Sequence, residues 1–239
     1  MTDRARQPEP PVVGTMVGKS ILIAGATGGL GSAIGANLAA RGATLTLASR
    51  DPDRLAALDV DGHKLALDFR DPQSSDLAVR AAMDHGGGLD VVVNAVGVVA
   101  FGPVSELSVD TLEELFLTNT FVTVFLARAA IEGLRDQGTI VNISGVIAER
   151  NLPGMAAYGA SKAAVRSFGE AFAREARRRK VRVIDARPPH TETGLVTRAV
   201  EGVAPKMAKG LDPALVAAII CEAIADESVT DLPSSAFAS

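Results

Sequence analysis

Short apolar runs alternate with longer amphipathic runs along most of the chain. The short runs are rich in Val, Leu, Ile and Thr and end in polar or glycine-rich turns, which is typical of strands. The longer runs repeat apolar residues at helical spacing. The predicted strands are residues 20–24, 44–49, 64–67, 91–94, 139–143 and 182–186. The predicted helices are residues 30–41, a short helix after Asp51-Pro52, and residues 73–83, 109–134 and 155–179.

Strands that alternate with helices of this length predict βαβ units, and therefore a mainly parallel sheet with right-handed crossovers. No internal repeat or linker interrupts the pattern, so residues 18–239 are predicted to form a single domain. Residues 1–17 are rich in proline and lack a hydrophobic signal core, which predicts a disordered extension. Met1 and Met16 are both candidates for the native initiator methionine.

Composition and charge exclude several classes of function for this chain. The formal net charge of −4 gives no positive field for nucleic acid or an anionic membrane, and neither partner is expected. No stretch is expected to reach the roughly 18–20 apolar residues that a membrane span needs. The single cysteine, Cys221, excludes an internal disulfide and is typical of a reducing, cytoplasmic location. No metal site is expected.

A glycine-rich turn connects the first predicted strand to the first predicted helix. Glycines there let the backbone turn sharply and approach a pyrophosphate, while the helix N-terminus offers free N–H groups and a positive dipole. Tight turns also use glycine for other reasons, but the position between strand and helix favours a dinucleotide site. The candidate cofactor-binding residues of this turn are Gly25, Thr27, Gly28, Gly29, Leu30 and Gly31.

The end of the second predicted strand indicates which dinucleotide is preferred. An NAD site usually has an acidic residue here for the ribose 2′-hydroxyl, whereas this chain has Ser49-Arg50. Arginine offers charge-assisted hydrogen bonds to a 2′-phosphate, and Ser49 adds a hydroxyl. NADP(H) is therefore the predicted cofactor, with NAD as the alternative. Arg50 as a plain surface residue of the following turn is the competing interpretation.

Tyr158 and Lys162 are the candidate catalytic pair. They are four residues apart in a predicted helix, so both side chains lie on one face. An ammonium group near a phenol favours the phenolate and lowers the tyrosine pKa. A phenol tuned in this way can exchange a proton with a carbonyl or alcohol oxygen while hydride moves to or from nicotinamide. Tyr158 is also the only tyrosine in the chain.

The motifs follow one another along the chain in the order found in the short-chain dehydrogenase/reductase family, and the chain resembles that family over about residues 18–232. The glycine turn is similar to the family's Thr-Gly-x-x-x-Gly-x-Gly, with Ala24 in place of threonine, and Tyr158-Gly159-Ala160-Ser161-Lys162 is similar to its catalytic motif. Asn119 matches the asparagine that supports a proton-relay water. The resemblance implies further cofactor contacts at Asp68, Phe69, Asn94, Ala95, Gly97, Tyr158, Lys162, Pro188, His190, Thr191 and Thr193, with Lys162 holding the nicotinamide ribose.

One position departs from the family pattern. The family has a serine 13 positions before the tyrosine, where this chain has Gly145, and Ser144 stands one residue earlier. Neighbouring strand residues point to opposite faces, so Ser144 is a catalytic candidate only if the backbone turns after the strand. Three alternatives remain open: Ser144 is repositioned, a substrate or lid hydroxyl substitutes, or the chain binds dinucleotide with little turnover.

Residues 190–210 interrupt the alternation of strands and helices. They contain three glycines and Pro205, and they follow a predicted strand, which places them at the carboxyl edge of the sheet where ligands bind. We interpret this segment as a substrate lid. Val146, Ile147, Leu152, Leu195 and Val196 are expected to give the substrate site an apolar wall.

Together these features predict a Rossmann-type, doubly wound α/β domain with a mainly parallel sheet in a three-layer α/β/α sandwich. The first functional hypothesis is an NADP(H)-dependent oxidoreductase that interconverts a carbonyl and an alcohol on a small, apolar substrate. The alternative, motivated by Gly145, is a catalytically weak dinucleotide-binding or sensing protein. The long helices are apolar around much of their circumference, which favours a homodimer, with a homotetramer as the second choice.

Overall fold

The computed structural model describes residues 14–238. Its centre is a six-stranded sheet in which every pair of neighbours is parallel, in the order β3-β2-β1-β4-β5-β6. The order reverses between β1 and β4, and ligands bind at such switch points in doubly wound sheets. The strands are β1 Ser20–Ala24, β2 Thr44–Ser49, β3 His63–Ala66, β4 Leu89–Asn94, β5 Leu134–Ile143 and β6 Arg182–Ala186.

Helices cover both faces of the sheet. They are α1 Gly29–Ala40, α2 Pro52–Ala56, α3 Pro72–Gly86, α4 Val109–Leu115, α5 Val122–Gly133, α6 Ala156–Ala176 and α7 Pro213–Ala225. A π-helical segment, Phe116–Phe121, joins α4 to α5, so these three elements form one continuous helical run. Asp51, Asp71 and Asp212 cap α2, α3 and α7 by accepting backbone N–H groups of the first turn.

Two apolar layers form the core, one on each face of the sheet. Ile21, Leu45 and Val141 belong to the layer under α1 and α7, whereas their strand neighbours Leu22 and Ile140 belong to the layer under α3, α5 and α6. This alternation follows from the period of two along a strand. The predicted Rossmann-type, three-layer fold is confirmed.

The helical run Val109–Gly133 is long and apolar enough to cross a membrane by length and composition, with a mean hydropathy of 1.4 in its most apolar window. The expectation that no segment reaches this threshold is therefore wrong. In the folded domain 44% of that window is buried, and Val122, Leu126 and Ala130 belong to the core under α3 and α6. Its hydropathy is thus partly explained by core packing.

The structure changes several predicted boundaries. β5 begins at Leu134, but its register against β4 is irregular before Thr139, where Gln137 has a positive φ; the regular part is the predicted strand. Helix α7 was missed, because its residues are apolar on most sides and show no helical periodicity. The C-terminal segment contributes an isolated bridge from Leu232 to Ala186, and no seventh strand forms among the described residues.

The predicted N-terminal extension, residues 1–17, lies largely outside the described residues. Its described end packs on the domain: Met16 is 3% exposed, and its N–H donates to the Arg41 carbonyl at 2.9 Å. Met16 belongs to the core layer under α1 and α7. The packed domain therefore begins before residue 18.

Candidate active site

The glycine turn after β1 crosses the start of the loop after β4. Gly25 has a φ of +81°, and a Cβ on it would lie 2.7 Å from the Ala95 carbonyl. Its N–H donates to the Ala48 carbonyl at 2.8 Å, and the Ala95 N–H donates to the Ala24 carbonyl at 2.9 Å. Only glycine satisfies this backbone conformation and this close approach. The turn therefore holds the ends of β1, β2 and β4 together.

An open groove of about 820 Å³, counted out to the solvent at its mouth, runs along these strand ends. Nine of the predicted cofactor-binding residues line it: Gly25, Thr27, Gly28, Ser49, Arg50, Asp68, Phe69, Ala95 and Gly97. The others do not line it: Gly29, Leu30, Gly31, Asn94, Pro188, His190, Thr191, Thr193 and the pair Tyr158 and Lys162. The groove also has three arginines that the sequence analysis missed, Arg54, Arg70 and Arg198.

A polar corner forms at the end of β2. The Ser49 and Thr27 hydroxyls share a hydrogen bond of 2.7 Å, and Arg54 donates from Nη2 to the Thr27 carbonyl at 2.5 Å. Arg50 and Arg54 are both exposed and lie on the same groove. The signal for Arg54 was its position four residues after Arg50, at the start of a helix. The corner therefore presents two guanidinium groups and two hydroxyls.

Asp68 and Arg70 form a second polar group on the opposite wall. Arg70 donates to Asp68 at 2.6 Å and to Glu114 at 3.1 Å. The hydrogen bond from Arg70 lowers the pKa of the Asp68 carboxyl. Asp68 is therefore charged at neutral pH, and Arg70 fixes its orientation. A side chain that contacts the adenine ring of a bound nucleotide needs such a fixed orientation.

Tyr158 and Lys162 lie on one face of α6, as predicted. Burial raises the pKa of the Tyr158 phenol to about 12, so the predicted lowering by Lys162 is not found. Burial also lowers the pKa of Lys162 to about 8, although the Asp185 carboxylate opposes this shift. Lys162 Nζ donates to the Ile143 carbonyl at 2.9 Å, and a Cβ on Gly97 would lie 3.3 Å from it. The ammonium group thus lies between the end of β5 and the floor of the groove.

The raised pKa can be tested directly, since Tyr158 is the only tyrosine and the chain has no tryptophan. In the ligand-free protein, tyrosinate absorbance should stay absent well above the ordinary tyrosine pKa of about 10. A folded-state pKa of about 12 also predicts that stability falls between pH 10 and 12, because only the unfolded chain releases this proton there. The check is an absorbance titration against the chain in denaturant; a folded-state midpoint at or below that of the denatured chain contradicts it.

Asn119 lies in the π-helical segment and is 1% exposed. Its Nδ2 donates to the Val98 carbonyl at 3.0 Å and to the Ser161 hydroxyl at 2.9 Å, and its Oδ1 accepts the Val98 N–H at 2.9 Å. The same Oδ1 lies 3.2 Å from where a Cβ on Gly97 would be. Asn119 therefore links the groove floor to α6 next to Lys162. Such π segments are frequent at functional sites.

Ser144 is not placed as the predicted catalytic hydroxyl. It is fully buried, its Oγ has neither accessible surface nor a hydrogen-bond partner, and its nearness to the Asp185 carboxyl lowers the pKa of that group. Burial outweighs this effect and raises the pKa of Asp185 overall. The backbone does turn at Gly145, with φ +80° and ψ 163°, but the turn leaves Ser144 beneath α6. The hydroxyl is thus closed off from the groove.

A buried arginine stabilises the loop that contains Gly145. Arg187, 4% exposed, donates to Glu149 at 2.5 Å, to Asp185 at 2.8 Å and to both Asp231 oxygens at 2.7 and 2.6 Å. Burial opposes the charge of Arg187, but these carboxylates raise its pKa overall. The group joins β6, the loop after β5 and the C-terminal segment. No sequence signal distinguished Arg187 from other strand-end residues.

Residues 190–210, the predicted lid, share an apolar cluster with Tyr158. Leu195, Val196, Ala199 and Ala204 from the lid pack with Tyr158 against an apolar cluster of Val99, Phe101, Ile147 and Met155. Of the predicted apolar wall, Ile147, Leu195 and Val196 are therefore in place, whereas Leu152 is 53% exposed.

Backbone contacts fix the base and the middle of the lid. At its base, Thr191 bridges to Leu211, and His190 Nε2 lies 3.5 Å from Glu192, so His190 is engaged within the lid. Further along, the Val200 N–H donates to the Val99 carbonyl and the Phe101 N–H donates to the Glu201 carbonyl, both at 2.9 Å. The segment between these anchors, including Leu195 and Arg198, faces the groove.

Comparison with known proteins adds independent findings. A family model described as short chain dehydrogenase matches residues 19–204. A 3-oxoacyl-[acyl-carrier-protein] reductase of Vibrio cholerae is 32% identical over 184 residues, which cover 74% of this chain and 75% of that protein. A hydroxynaphthalene reductase-like protein of Metarhizium brunneum is 34% identical over 76% of this chain and 71% of its own length.

Solved structures show the same fold. A short chain dehydrogenase from Burkholderia cenocepacia in complex with NADP superposes with a TM-score of 0.80 at 26% identity, covering 93% of this chain and 99% of that one. A dehydrogenase/reductase from Sinorhizobium meliloti has a TM-score of 0.81 at 24% identity, covering 93% and 96% of the two chains.

Proposed function

Since the chain belongs to the short-chain dehydrogenase family, we propose that this oxidoreductase uses NADP(H) to interconvert a carbonyl and an alcohol on a small, apolar substrate. The observation that carries the proposal is the placement of Tyr158 and Lys162 on one face of α6, beneath an apolar lid and beside an open groove. A proton-transfer group, a cation on the same helix face and an apolar cluster are thereby combined.

The groove fits a dinucleotide. Gly25 and Gly97 remove the side chains that would fill its floor, and Gly28 leaves the first N–H groups of α1 without a side-chain cap. The positive end of α1 then suits a pyrophosphate. When bound, the nicotinamide supplies or accepts a hydride.

Tyr158 is the proton donor in this proposal. The phenol is protonated at neutral pH, as a group that donates a proton to a carbonyl oxygen must be. Lys162, with a pKa of about 8, is mostly an ammonium at pH 7 and is held by the Ile143 carbonyl. This ammonium group belongs to the residue one helical turn after Tyr158, on the same face of α6. Hydrogen bonds to Val98 and Ser161 fix the Asn119 side chain, which connects the floor of the groove to α6 beside Lys162.

The polar corner at the end of β2 supports the preference for NADP(H). A 2′-phosphate adds negative charge, and Arg50 and Arg54 are two exposed guanidinium groups beside the Ser49 and Thr27 hydroxyls. Neither arginine forms an ion pair within residues 14–238, although the charge of Arg50 contributes to lowering the pKa of Asp68. Charge-assisted hydrogen bonds of this kind are among the stronger ones in proteins.

Replacing Arg50 and Arg54 together by glutamine is expected to raise the Kd of NADPH by about 10²–10⁴-fold and to change the Kd of NADH by less than about threefold. The reason is that each charged hydrogen bond contributes about 1.5–3 kcal/mol, and only NADPH has the 2′-phosphate. Cofactor fluorescence measures both constants without tryptophan background. Arg166→Gln, at an exposed Arg–Glu pair on α6, is the matched control. Equal losses for the two cofactors would contradict the assignment.

The apolar cluster around Tyr158 supports a small, apolar substrate. Tyr158 and the lid residues Leu195 and Val196 pack against Phe101, Ile147 and Met155, and none of these five neighbours of the phenol's cluster provides charge for a phosphate or carboxylate. The test is NADPH oxidation with a panel of apolar ketones and aldehydes and analysis of the alcohol product. Turnover with charged substrates alone would contradict this part of the proposal.

A catalytically weak dinucleotide-binding protein is the second candidate. It is favoured by Gly145 and by the burial of Ser144, because a missing donor to a developing oxyanion typically costs about 10²–10³-fold in rate. NADPH binding without turnover across the substrate panel would favour this candidate.

We also propose that the chain forms a homodimer, with a homotetramer as the alternative. The support is the apolar outer face of the α4–α5 run, where Val109, Leu112 and Phe121 are 69%, 40% and 50% exposed. A face of this kind is better buried against a second copy across a two-fold axis.

A further inference from the structure

Arg198 enters the groove from the lid. It lies at the end of a short turn, Val196–Arg198, and lines the groove together with Gly25, Thr27 and Gly28. Its side chain is exposed, and within the part of the chain that the structure describes it forms no ion pair. Its single side-chain hydrogen bond there is a long one, from Nη2 to the Thr193 carbonyl at 3.4 Å. The guanidinium therefore has most of its donors available to a ligand.

The position of Thr193 places Arg198 near the start of α1. The Thr193 carbonyl oxygen lies 2.6 Å from the point that a Cβ on Gly29 would occupy, and Gly29 is the first residue of α1. The guanidinium contacts that same carbonyl. It is consequently close to the helix N-terminus, whose first N–H groups have no side-chain acceptor and whose first turn has no acidic residue.

We propose that Arg198 is a cofactor-binding residue whose guanidinium pairs with the pyrophosphate of the bound dinucleotide and so couples the lid to the cofactor. The inference rests on the proposed dinucleotide function. Two positive groups face the same position, one from the rigid helix end and one from the lid, and a pyrophosphate has two negative charges to satisfy them. Arg50 and Arg54 serve the 2′-phosphate instead, since they belong to the corner at the end of β2.

The coupling follows from how the lid is attached. Residues 200–201 are fixed by backbone hydrogen bonds to Val99 and Phe101, and the Glu201 carboxylate accepts hydrogen bonds from Ser108 and Thr111. Arg198 lies just before this anchor, and Leu195 and Val196, next to it in the chain, pack against the same apolar cluster as Tyr158. An anion that holds Arg198 therefore also holds the lid residues that share an apolar cluster with Tyr158. A bound cofactor would then fix this part of the lid in place beside the phenol.

The test compares Arg198→Gln with the native chain for three ligands: NADPH, NADH and adenosine 2′-monophosphate. The first two contain a pyrophosphate, and the third contains a 2′-phosphate without one. We expect the Kd of NADPH and of NADH to rise by the same factor, about 10–100-fold, and the Kd of adenosine 2′-monophosphate to stay unchanged. Lys206→Gln is the matched control, because it removes an exposed lid charge that does not line the groove.

A second readout tests the coupling at saturating NADPH. In the native chain, NADPH should slow tryptic cleavage after Lys206 and Lys209, which are both exposed lid residues. In Arg198→Gln, saturated to the same extent, most of this protection should be lost. Unchanged affinity, a loss confined to NADPH and adenosine 2′-monophosphate, or full protection of the variant would each overturn the inference. If the native chain binds neither dinucleotide, the proposed function fails as well.

Discussion

Tyr158→Phe is expected to lower kcat for carbonyl reduction by about 10²–10⁴-fold, because it removes the only group in the described site that is placed to donate a proton to the substrate oxygen. Fold and cofactor binding should be little affected. The Tyr158 side chain makes no hydrogen bond in the structure, and its ring packs among Ile147, Met155 and the lid, where phenylalanine has nearly the same shape. The Kd of NADPH should therefore remain close to that of the native chain.

The measurement is the steady-state rate of NADPH oxidation, with the Kd and the melting temperature determined for each variant. Thr120→Val is the matched control, because it also deletes one hydroxyl near α6, namely the one that donates to the Ser161 carbonyl at 2.9 Å. That variant should lose about 1 kcal/mol of stability and keep its rate. If Tyr158→Phe retains a rate within threefold of native, the phenol is not the proton donor, and another group must take this role.

The sheet was predictable because each strand has its own local signal. A glycine turn follows β1 and an Asp-Pro turn follows β2. Each strand is a short apolar run, and helical stretches separate these runs along the chain. Tyr158 and Lys162 were predictable for a similar reason: their spacing of four is a local property of a helix. Where position depends on one strand or one helix, sequence reasoning succeeded.

Arg54 and Arg70 were missed although each is close in sequence to a predicted site residue, whereas Arg198 and Arg187 depend on contacts between distant segments. Arg198 comes near α1 only because the lid folds back over Gly29. Arg187 is an active-site neighbour only because Asp231, 44 positions later, returns to the end of β6. The rise in the pKa of Tyr158 comes from burial, and the cluster it packs against includes Val99 and Phe101, which are far away in sequence. No local pattern specifies such contacts.

Gly145→Ser, the substitution that would restore the family residue, is expected to destabilise the chain by about 1–3 kcal/mol and to leave turnover no higher than native. The backbone at Gly145, with φ +80° and ψ 163°, lies in a region that is essentially restricted to glycine. Three hydrogen bonds hold this turn: the N–H groups of residues 144 and 145 donate to the Ala186 carbonyl, and that of residue 146 donates to the Pro188 carbonyl. A serine must therefore adopt a strained conformation or break these bonds.

Gly145→Ala separates the backbone cost from the effect of the hydroxyl. A Cβ at this position has room, since its nearest neighbour is the Pro188 carbonyl oxygen at 3.8 Å, so alanine and serine should lose equal stability in denaturant unfolding. Any difference in rate between the two variants then reports the hydroxyl alone. Equal rates would mean that the native site reduces its substrate without a donor at this position, as the oxidoreductase proposal requires. A serine variant about 10²-fold faster than the alanine variant would show that the hydroxyl reaches the substrate oxygen. The native glycine would then be the reason for weak turnover, and dinucleotide binding or sensing would become the better account of this chain.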